Sequence, residues 1–253
     1  RALKMSRVAT KLGMDLRSIL FSKIKAAFGG RLRYIICGGA ALRPELVDVF
    51  ETIGVRISQG YGITECAPLI SVVPLNVYNP KSCGKLVDGL QVFIHKENPS
   101  DDYGEIVVKG KNVMLGYFKN PEATDETLKD GWYHTGDLGI IDRHGNIFIK
   151  GRIKNMLLSG NGQNIYPEEI EDKLNNLPYV QECVVVQREG KLYGLVYPDP
   201  ELVKKNGISI KELNETMEQN RKLLNAQIPA YEQIAGIILR DEEFEKTPKR
   251  SIK

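Results

Sequence analysis

A chain of 253 residues with 42% hydrophobic and 26% charged side chains can bury one or two ordinary cores, at roughly 150 residues per domain. Those values exclude a disordered chain, a collagen-like or repeat-only scaffold, and a mini-protein held by staples. The net charge of +3 is unevenly spread: residues 1–33 hold nine Lys or Arg against the single Asp15, a local +8 that leaves −5 over the remainder.

In the basic lead segment Leu12, Leu16, Ile19, Leu20, Ile24 and Phe28 fall on one helical stripe, which predicts an amphipathic helix packed on its own body. The sharper alternative is a peripheral contact with an anionic membrane surface at the inner face. No aromatic-rich RNA motif or helix-turn-helix pattern accompanies the charge, so nucleic acid is not expected as a partner. Arg1 in place of a methionine, and a stop straight after a basic run, lead to the expectation of a piece of something longer. Cys37, Cys66, Cys83 and Cys183 form no C-x-x-C pair and have no zinc spacing with His95, His134 or His144. Reduced cysteines and a cytoplasmic location are expected, with no apolar run near 18 residues and no signal peptide.

Arg31–Cys37 reads as a short buried strand, followed by a turn at Gly38-Gly39-Ala40-Ala41. A helix starts at Pro44 and Glu45, carries Leu46, Val49, Phe50 and Ile53 on one face, and stops at Gly54. Val55–Ser58 is a second strand, so residues 31–58 predict a strand-helix-strand crossover with a parallel pair. Ligand sites in such sheets lie beyond the carboxyl ends of the strands, where the loops 38–41 and 59–65 fall. From Gly84 to Gly151 the texture changes to short strands at 91–95, 105–109, 138–141 and 146–150, with one helix at 122–129. Beyond Arg152 an α+β unit is predicted, with helices near 167–176 and 209–226 and strands near 182–187, 192–197 and 237–240. The domain boundary is placed at Gly151–Lys154.

Four segments carry candidate chemistry. In Gln59-Gly60-Tyr61-Gly62-Ile63-Thr64-Glu65 two glycines let backbone approach a flat ligand on which Tyr61 can stack, Thr64 can donate to a phosphate oxygen, and Glu65 can hold Mg²⁺. The bland alternative is a turn with a capping hydroxyl. In Tyr133-His134-Thr135-Gly136-Asp137 an Asp held by a Thr-Gly turn can accept from both hydroxyls of a ribose, or it is a plain Asx turn. Gly151-Arg152-Ile153-Lys154-Asn155, followed by Ser159–Glu171, reads alone as a solvated linker, and the Glu245–Lys253 tail as a solvated basic end. Gly160-Asn161-Gly162-Gln163-Asn164-Ile165 has Ile where a dinucleotide fingerprint needs its third glycine, and no G-x-x-x-x-G-K-[ST] loop occurs.

Taken together and in this order, these segments resemble the adenylate-forming enzyme superfamily of AMP-dependent synthetases and ligases. The run Gly104-Glu105-Ile106-Val107 through Asn112-Val113-Met114-Leu115-Gly116-Tyr117-Phe118 is similar to the acyl-CoA synthetases, and to the C-terminal half of long-chain fatty acyl-CoA ligases in particular. The resemblance implies α/β plus α+β architecture: 1–151 as the C-terminal part of a large AMP-binding domain, with an α/β portion 1–83 and a β-rich, barrel-like portion 84–151, then a small mobile domain 152–253. It implies a ligase that joins a fatty acid to AMP using ATP and Mg²⁺, releases pyrophosphate, and passes the acyl group to coenzyme A. Gly38, Gly39, Ala40, Gln59, Gly60 and Tyr61 would bound the adenine, Gly62 and Thr64 would approach the α-phosphate, and Glu65 would hold the metal. Asp137 would take the ribose with Arg152 nearby, Lys154 would be the hinge, and Gly160 and Gly162 would line the coenzyme A channel.

Two departures accompany the likeness. The family's Ser/Thr/Gly-rich phosphate loop ending in Pro-Lys is not among these residues, so the chain by itself is expected to be inactive. The family's catalytic lysine falls in register on Ser251, leaving Lys249 or Lys253 as the substitutes. Two other readings stay open: a ligase of another acid or a module that loads a carrier protein, and a noncatalytic nucleotide-binding or interaction module. The oligomeric state has no signal in the sequence.

Overall fold

The computed structural model describes residues 2–39, 42–99, 101–247 and 252, and divides into two units, Arg1–Ile149 and Lys150–Lys253. In the first unit the lead segment is three short helices rather than one: α1 (Ala2–Lys11), α2 (Arg17–Leu20) and α3 (Ser22–Ala27). The break between α1 and α2 has a local cause. Gly13 takes a left-handed φ of +76°, and the Asp15 carboxylate accepts from the Arg17 backbone N at 3.0 Å and its Nε at 2.8 Å, so local hydrogen bonds replace a helical turn. The expected stripe is thereby dispersed: Leu12, Ile19, Ile24 and Phe28 are exposed, while Leu20 packs near Phe21, Ile53 and Val55. α1 instead fastens through buried Ser6, whose hydroxyl donates to the Thr52 carbonyl at 2.9 Å.

β1 (Tyr34–Cys37), α4 (Pro44–Ile53) and β2 (Arg56–Gly62) form the expected crossover, with β1 and β2 parallel from Tyr34 opposite Arg56 to Cys37 opposite Gln59. Pro44 occupies the first helical turn and Gly54 closes the helix at φ +85°. β2 runs past Ser58 through the glycines, because those residues pair with β3 (Leu69–Val72), which pairs in turn with β4 (Lys85–Leu86). A bulge falls between Tyr61 and Gly62, where a Cβ on Gly62 would meet the Pro68 carbonyl oxygen at 1.9 Å. The segment read as a loop is therefore a strand whose glycines make room for a neighbouring backbone.

The second sheet of this unit is antiparallel: β5 (Leu90–His95), β6 (Gly104–Gly110), β7 (Leu128–Lys129) and β8 (Trp132–Ile141) run in the order β5-β6-β8-β7, and β9 (Ile147–Arg152) pairs β8. α5 (Pro121–Thr127) precedes β7 and ends two residues before the expected helix, since Leu128 and Lys129 pair with β8 instead. β8 starts at Trp132, not at Leu138, so the Thr-Gly-Asp segment also lies inside a strand. Asp142 makes the expected turn into β9, accepting from the backbone N of His144 and Asn146 at 2.8 Å each. One core of Tyr61, Cys66, Ile70, Ile106, Val108, Tyr133 and Ile147 joins the two sheets. Each of its aliphatic side chains contributes about 1.5–3 kcal/mol on burial.

The second unit holds the hairpin β10 (Leu157–Leu158) and β11 (Asn164–Ile165), α6 (Pro167–Leu174), β12 (Val180–Arg188), β13 (Lys191–Pro198), α7 (Pro200–Asn206), α8 (Ile210–Asn225) and β14 (Ile234–Leu239). β13 lies centrally, antiparallel to β12 and parallel to β14. Ile170, Leu174, Val196, Leu213, Met217, Leu224 and Ile234 fill its core, and a reciprocal Ser209–Glu212 capping box starts α8. α7 was not expected, although its signals are local: Asp199 accepts from the backbone N of Glu201 and Leu202, Pro200 follows, and Gly207 stops the helix at φ +62°. All four cysteines are unbridged. Among the described residues no helix is long and apolar enough to cross a membrane.

Candidate functional site

The parallel pair ends where sequence placed the ligand loops. Gly38 lies against Gly60, whose carbonyl oxygen would be 3.2 Å from a Cβ at Gly38, and Gly39 has φ +90°. Gln59 faces Cys37 across β1 and β2 and accepts from the Val73 backbone N at 2.8 Å. Ala40 lies outside the described residues. Bare backbone is thus gathered at one sheet end from two segments twenty residues apart in sequence.

Tyr61 departs from its expected stacking role. The shared core buries its ring, and its hydroxyl donates to Asp137 Oδ2 at 2.7 Å. A ring in the core offers no open face to a flat ligand, so its contribution here is to hold Asp137. Burial first, and the Asp137 charge next, push the phenol's ionisation far above its ordinary value, which keeps it a donor.

Asp137 is presented by a bulge in β8. Gly136 takes φ +69°, and the pairing register with β6 shifts between Glu105 and Val107. Thr135 Oγ1 donates to the Ile106 carbonyl at 2.7 Å and accepts from the Asp137 backbone N at 3.1 Å. Glu105 then grips the bulge with both oxygens, Oε1 accepting from the Gly136 backbone N at 2.9 Å and Oε2 lying 2.7 Å from His134 Nδ1. Sequence reasoning assigned no role to Glu105, because its part depends on the partner strand and not on a local motif.

Glu65 stands in the short 3-10 turn Thr64–Cys66, which Ala67 ends in a left-handed conformation at φ +49°. Its Oε1 accepts from the Tyr117 hydroxyl at 2.8 Å, and its carbonyl accepts from the Met114 backbone N at 2.8 Å. Asn112 Nδ2 donates to the Cys66 carbonyl at 2.6 Å. The run Asn112–Tyr117 therefore braces the turn; the family likeness had drawn attention to it, but no site role had been read for it. The Tyr117 hydroxyl also lies 3.4 Å from that of Tyr133. Burial raises the ionisation of both phenols, and pushes the Cys66 thiol up to about 11. Thr64 is exposed, one residue from Glu65.

Among the described residues no group of three or more His, Cys, Asp or Glu could hold a metal ion. Glu65 is a single carboxylate with one oxygen already engaged. That donor set suits Mg²⁺, which takes one or two carboxylates and fills its octahedron with substrate phosphates and water.

In the second unit the Arg152 backbone N and Asn155 Nδ2 both donate to Glu168 Oε1, at 3.4 and 2.7 Å, around the 3-10 turn Ile153–Asn155 that carries exposed Lys154. The segment read as a linker is thus the end of a strand and a bonded turn. Gly160 and Gly162 sit in the tip joining β10 to β11, where the Gln163 backbone N donates to Ser159 Oγ at 2.9 Å and Gly162 has φ +75°. Ser159, Gly160, Lys191, Arg221 and Tyr231 are among the residues lining a cleft of about 380 Å³ beside that tip. Lys249, Ser251 and Lys253 lie outside the described residues. Nearby Lys246 is ion-paired with Glu182 and Glu243, which raise its ionisation.

The AMP-binding enzyme family model matches residues 6–118. A feruloyl-CoA synthase of Amycolatopsis is 39% identical over 161 residues, covering 61% of this chain and 33% of that protein. A long-chain-fatty-acid–CoA ligase of Escherichia coli is 37% identical over 200 residues, covering 75% of this chain and 36% of the ligase. The crystal structure of the anthranilate CoA ligase AuaEII with anthranoyl-AMP superposes with a TM-score of 0.73 at 26% identity, over 87% of this chain and 43% of that one. The chain spans about a third to two fifths of the length of these three relatives.

Proposed function

Given that this chain belongs to the AMP-binding enzyme family of adenylate-forming enzymes, we propose that it is the C-terminal portion of an ATP-dependent acid–coenzyme A ligase whose acid is a long-chain fatty acid. In the first half-reaction the carboxylate oxygen attacks the α-phosphorus of ATP and pyrophosphate leaves, giving an acyl-adenylate. In the second the thiol of coenzyme A attacks the acyl carbon, loses its proton, and AMP leaves.

The observation that carries the nucleotide-binding part is the Tyr61–Asp137 hydrogen bond of 2.7 Å, set at the strand end where Gly38, Gly39, Gln59 and Gly60 expose backbone. On this reading Asp137 accepts from the ribose hydroxyls, oriented by Tyr61 and by the β8 bulge. Gly62 and Thr64 lie toward the α-phosphate, and Glu65 would hold Mg²⁺. When bound, that ion would offset the charge that grows on the phosphoryl oxygens. Arg152 completes the nucleotide contacts, Lys154 is the pivot of the small domain, and Gly160 and Gly162 border coenzyme A. Lys249 or Lys253 supplies the positive charge that Ser251 lacks. No Ser/Thr/Gly-rich loop ending in Pro-Lys occurs among the 253 residues, so on this reading they do not complete the first half-reaction alone.

Titration of AMP into the 253-residue protein tests the nucleotide site: saturable binding that Asp137→Ala weakens supports it, and equal binding by the variant refutes it. Acid-dependent pyrophosphate exchange by these residues alone would refute their dependence on a further segment. In the complete ligase, Lys249→Ala or Lys253→Ala should abolish turnover while Ser251→Ala should not. A second reading, an aromatic acid as substrate, is favoured by the 39% identity to a feruloyl-CoA synthase. Acyl-CoA formation across fatty and aromatic acids separates the two.

A further inference from the structure

The first residues of the second unit carry an arrangement that the proposed roles do not use. Glu168 projects from the first turn of α6, where the helix N-terminus favours a carboxylate. Its Oε1 takes the two donors already described, the Asn155 side chain at 2.7 Å and the Arg152 backbone N at 3.4 Å, so one oxygen bridges both ends of the turn. Its Oε2 is buried and has no hydrogen-bond partner among the described residues. That oxygen sits over Gly151, where a Cβ would lie 2.6 Å from it and 3.0 Å from the carboxyl carbon. A buried carboxylate oxygen without a donor is costly and would normally swing toward water. It stays because the other oxygen is held, and Gly151 is the residue that leaves it room.

We propose that Glu168 is a positioning residue that clamps the Arg152–Asn155 turn, and through it sets the balance between the two half-reactions. This rests on the reading of Lys154 as the pivot of the small domain. A pivot that must turn between two arrangements needs a resting conformation deep enough to be defined and shallow enough to leave. A single carboxylate bonded to one backbone N–H and one side-chain amide is that kind of restraint. The turn itself is short, and the Met156 backbone N donates to its Arg152 and Ile153 carbonyls at 3.2 and 3.1 Å.

Two measurements test the clamp and its consequence separately. Amide hydrogen exchange of the 253-residue protein reads the turn directly: Glu168→Ala should speed exchange at Arg152 and Met156 roughly tenfold, the loss of one hydrogen bond to a charged group. Glu168→Gln keeps an oxygen acceptor and should stay near wild type, while Gly151→Ala should displace the carboxylate and mimic Glu168→Ala. Unchanged exchange in both Glu168→Ala and Gly151→Ala overturns the clamp. In the complete ligase, pyrophosphate exchange and thioester formation from supplied acyl-adenylate should change by different factors in Glu168→Ala, with Glu168→Gln restoring the wild-type ratio. Equal loss in both half-reactions leaves Glu168 a purely structural residue and overturns the proposed control. Absence of adenylation in the wild-type ligase would count against the proposed function, while the exchange experiment still decides the clamp.

Discussion

The Tyr61 hydroxyl donates to Asp137 Oδ2 across 2.7 Å, joining two buried side chains that stand 76 positions apart in the chain. The bond ties β2 to the bulge of β8. It makes the glycine-bearing end of β2 and the Asp137 carboxylate one bonded assembly in place of two independent loops.

Tyr61→Phe removes only the donor and leaves the Asp137 carboxylate buried with one partner fewer. Loss of a hydrogen bond to a charged group should lower the unfolding free energy by about 2 kcal/mol. AMP affinity should fall with it, since the carboxylate then loses one of the bonds that orient it. Denaturation midpoints and AMP titration of the variant check both, and an unchanged midpoint would show that the bond contributes no net stability.

On the proposed function, Glu65 and Tyr117 should separate in a magnesium titration of the complete ligase. Glu65→Ala is expected to impair the metal-dependent adenylation at every Mg²⁺ concentration. Tyr117→Phe frees one oxygen of Glu65 without removing it, and should raise the Mg²⁺ needed for half-maximal pyrophosphate exchange by roughly 10–100-fold while sparing the rate at saturation. Full activity in Glu65→Ala would rule out its assigned role.

Stability should depend on pH through Glu171, a half-buried carboxyl of α6 whose Oε1 accepts from the Val185 backbone N at 2.7 Å. Burial first, and the charge of Glu168 as a lesser cause, raise its ionisation from 4.5 to about 7. The folded state therefore holds the proton more tightly than the unfolded chain. The stabilising contribution is complete below about pH 4.5 and is lost as the pH rises to about 7. Glu171→Gln cannot ionise yet keeps an oxygen for Val185, so its advantage over wild type should grow across that window to at most about 3 kcal/mol. Melting curves between pH 4 and pH 8 check it, and parallel curves for the two proteins would exclude the effect.

Gly62 is required by space. Gly62→Ala would set a methyl 1.9 Å from the Pro68 carbonyl oxygen and 2.8 Å from its carbon, both backbone atoms that move only with the strand. The expected cost is about 3 kcal/mol or more, with the Thr64–Cys66 turn displaced. Gly39→Ala meets no heavy atom within 4 Å, so its cost should come only from its φ of +90°, roughly 1 kcal/mol. Chemical denaturation of the pair checks the order, and a reversed order would show that β2 relaxes around the methyl.

Local chemistry made much of this fold readable. Pro44 and Gly54 frame α4, Asp142 and Gly145 make their turn, and Ser209 with Glu212 begins α8, since caps and turns are decided by neighbours within a few positions. The same local reasoning went wrong where a local break was hidden in an apolar pattern. A regular stripe from Leu12 to Phe28 suggested one helix, while Gly13 and Asp15 held the dihedral and hydrogen-bond reasons for the break between α1 and α2.

The candidate site was legible as residue types in order: paired glycines, a Thr-Glu step, a Thr-Gly-Asp step. Its construction was not. Both glycine-bearing segments read as turns because glycine and threonine favour turns, yet pairing with β3 and β6 carries them into strands. The roles of Glu105, Tyr117 and Asn112 rest on bonds to residues 29 to 52 positions away, which no spacing rule reaches.

By itself, then, the sequence determined which residue types border the candidate site and which local elements carry them, because side-chain type and local capping act over a few residues. Only the tertiary structure decided that Tyr61 turns inward to hold Asp137, that Tyr117 takes an oxygen of Glu65, and that Glu168 closes on the Arg152–Asn155 turn. Each of those depends on strand register and core packing, which are settled by the whole sheet and not by any one segment.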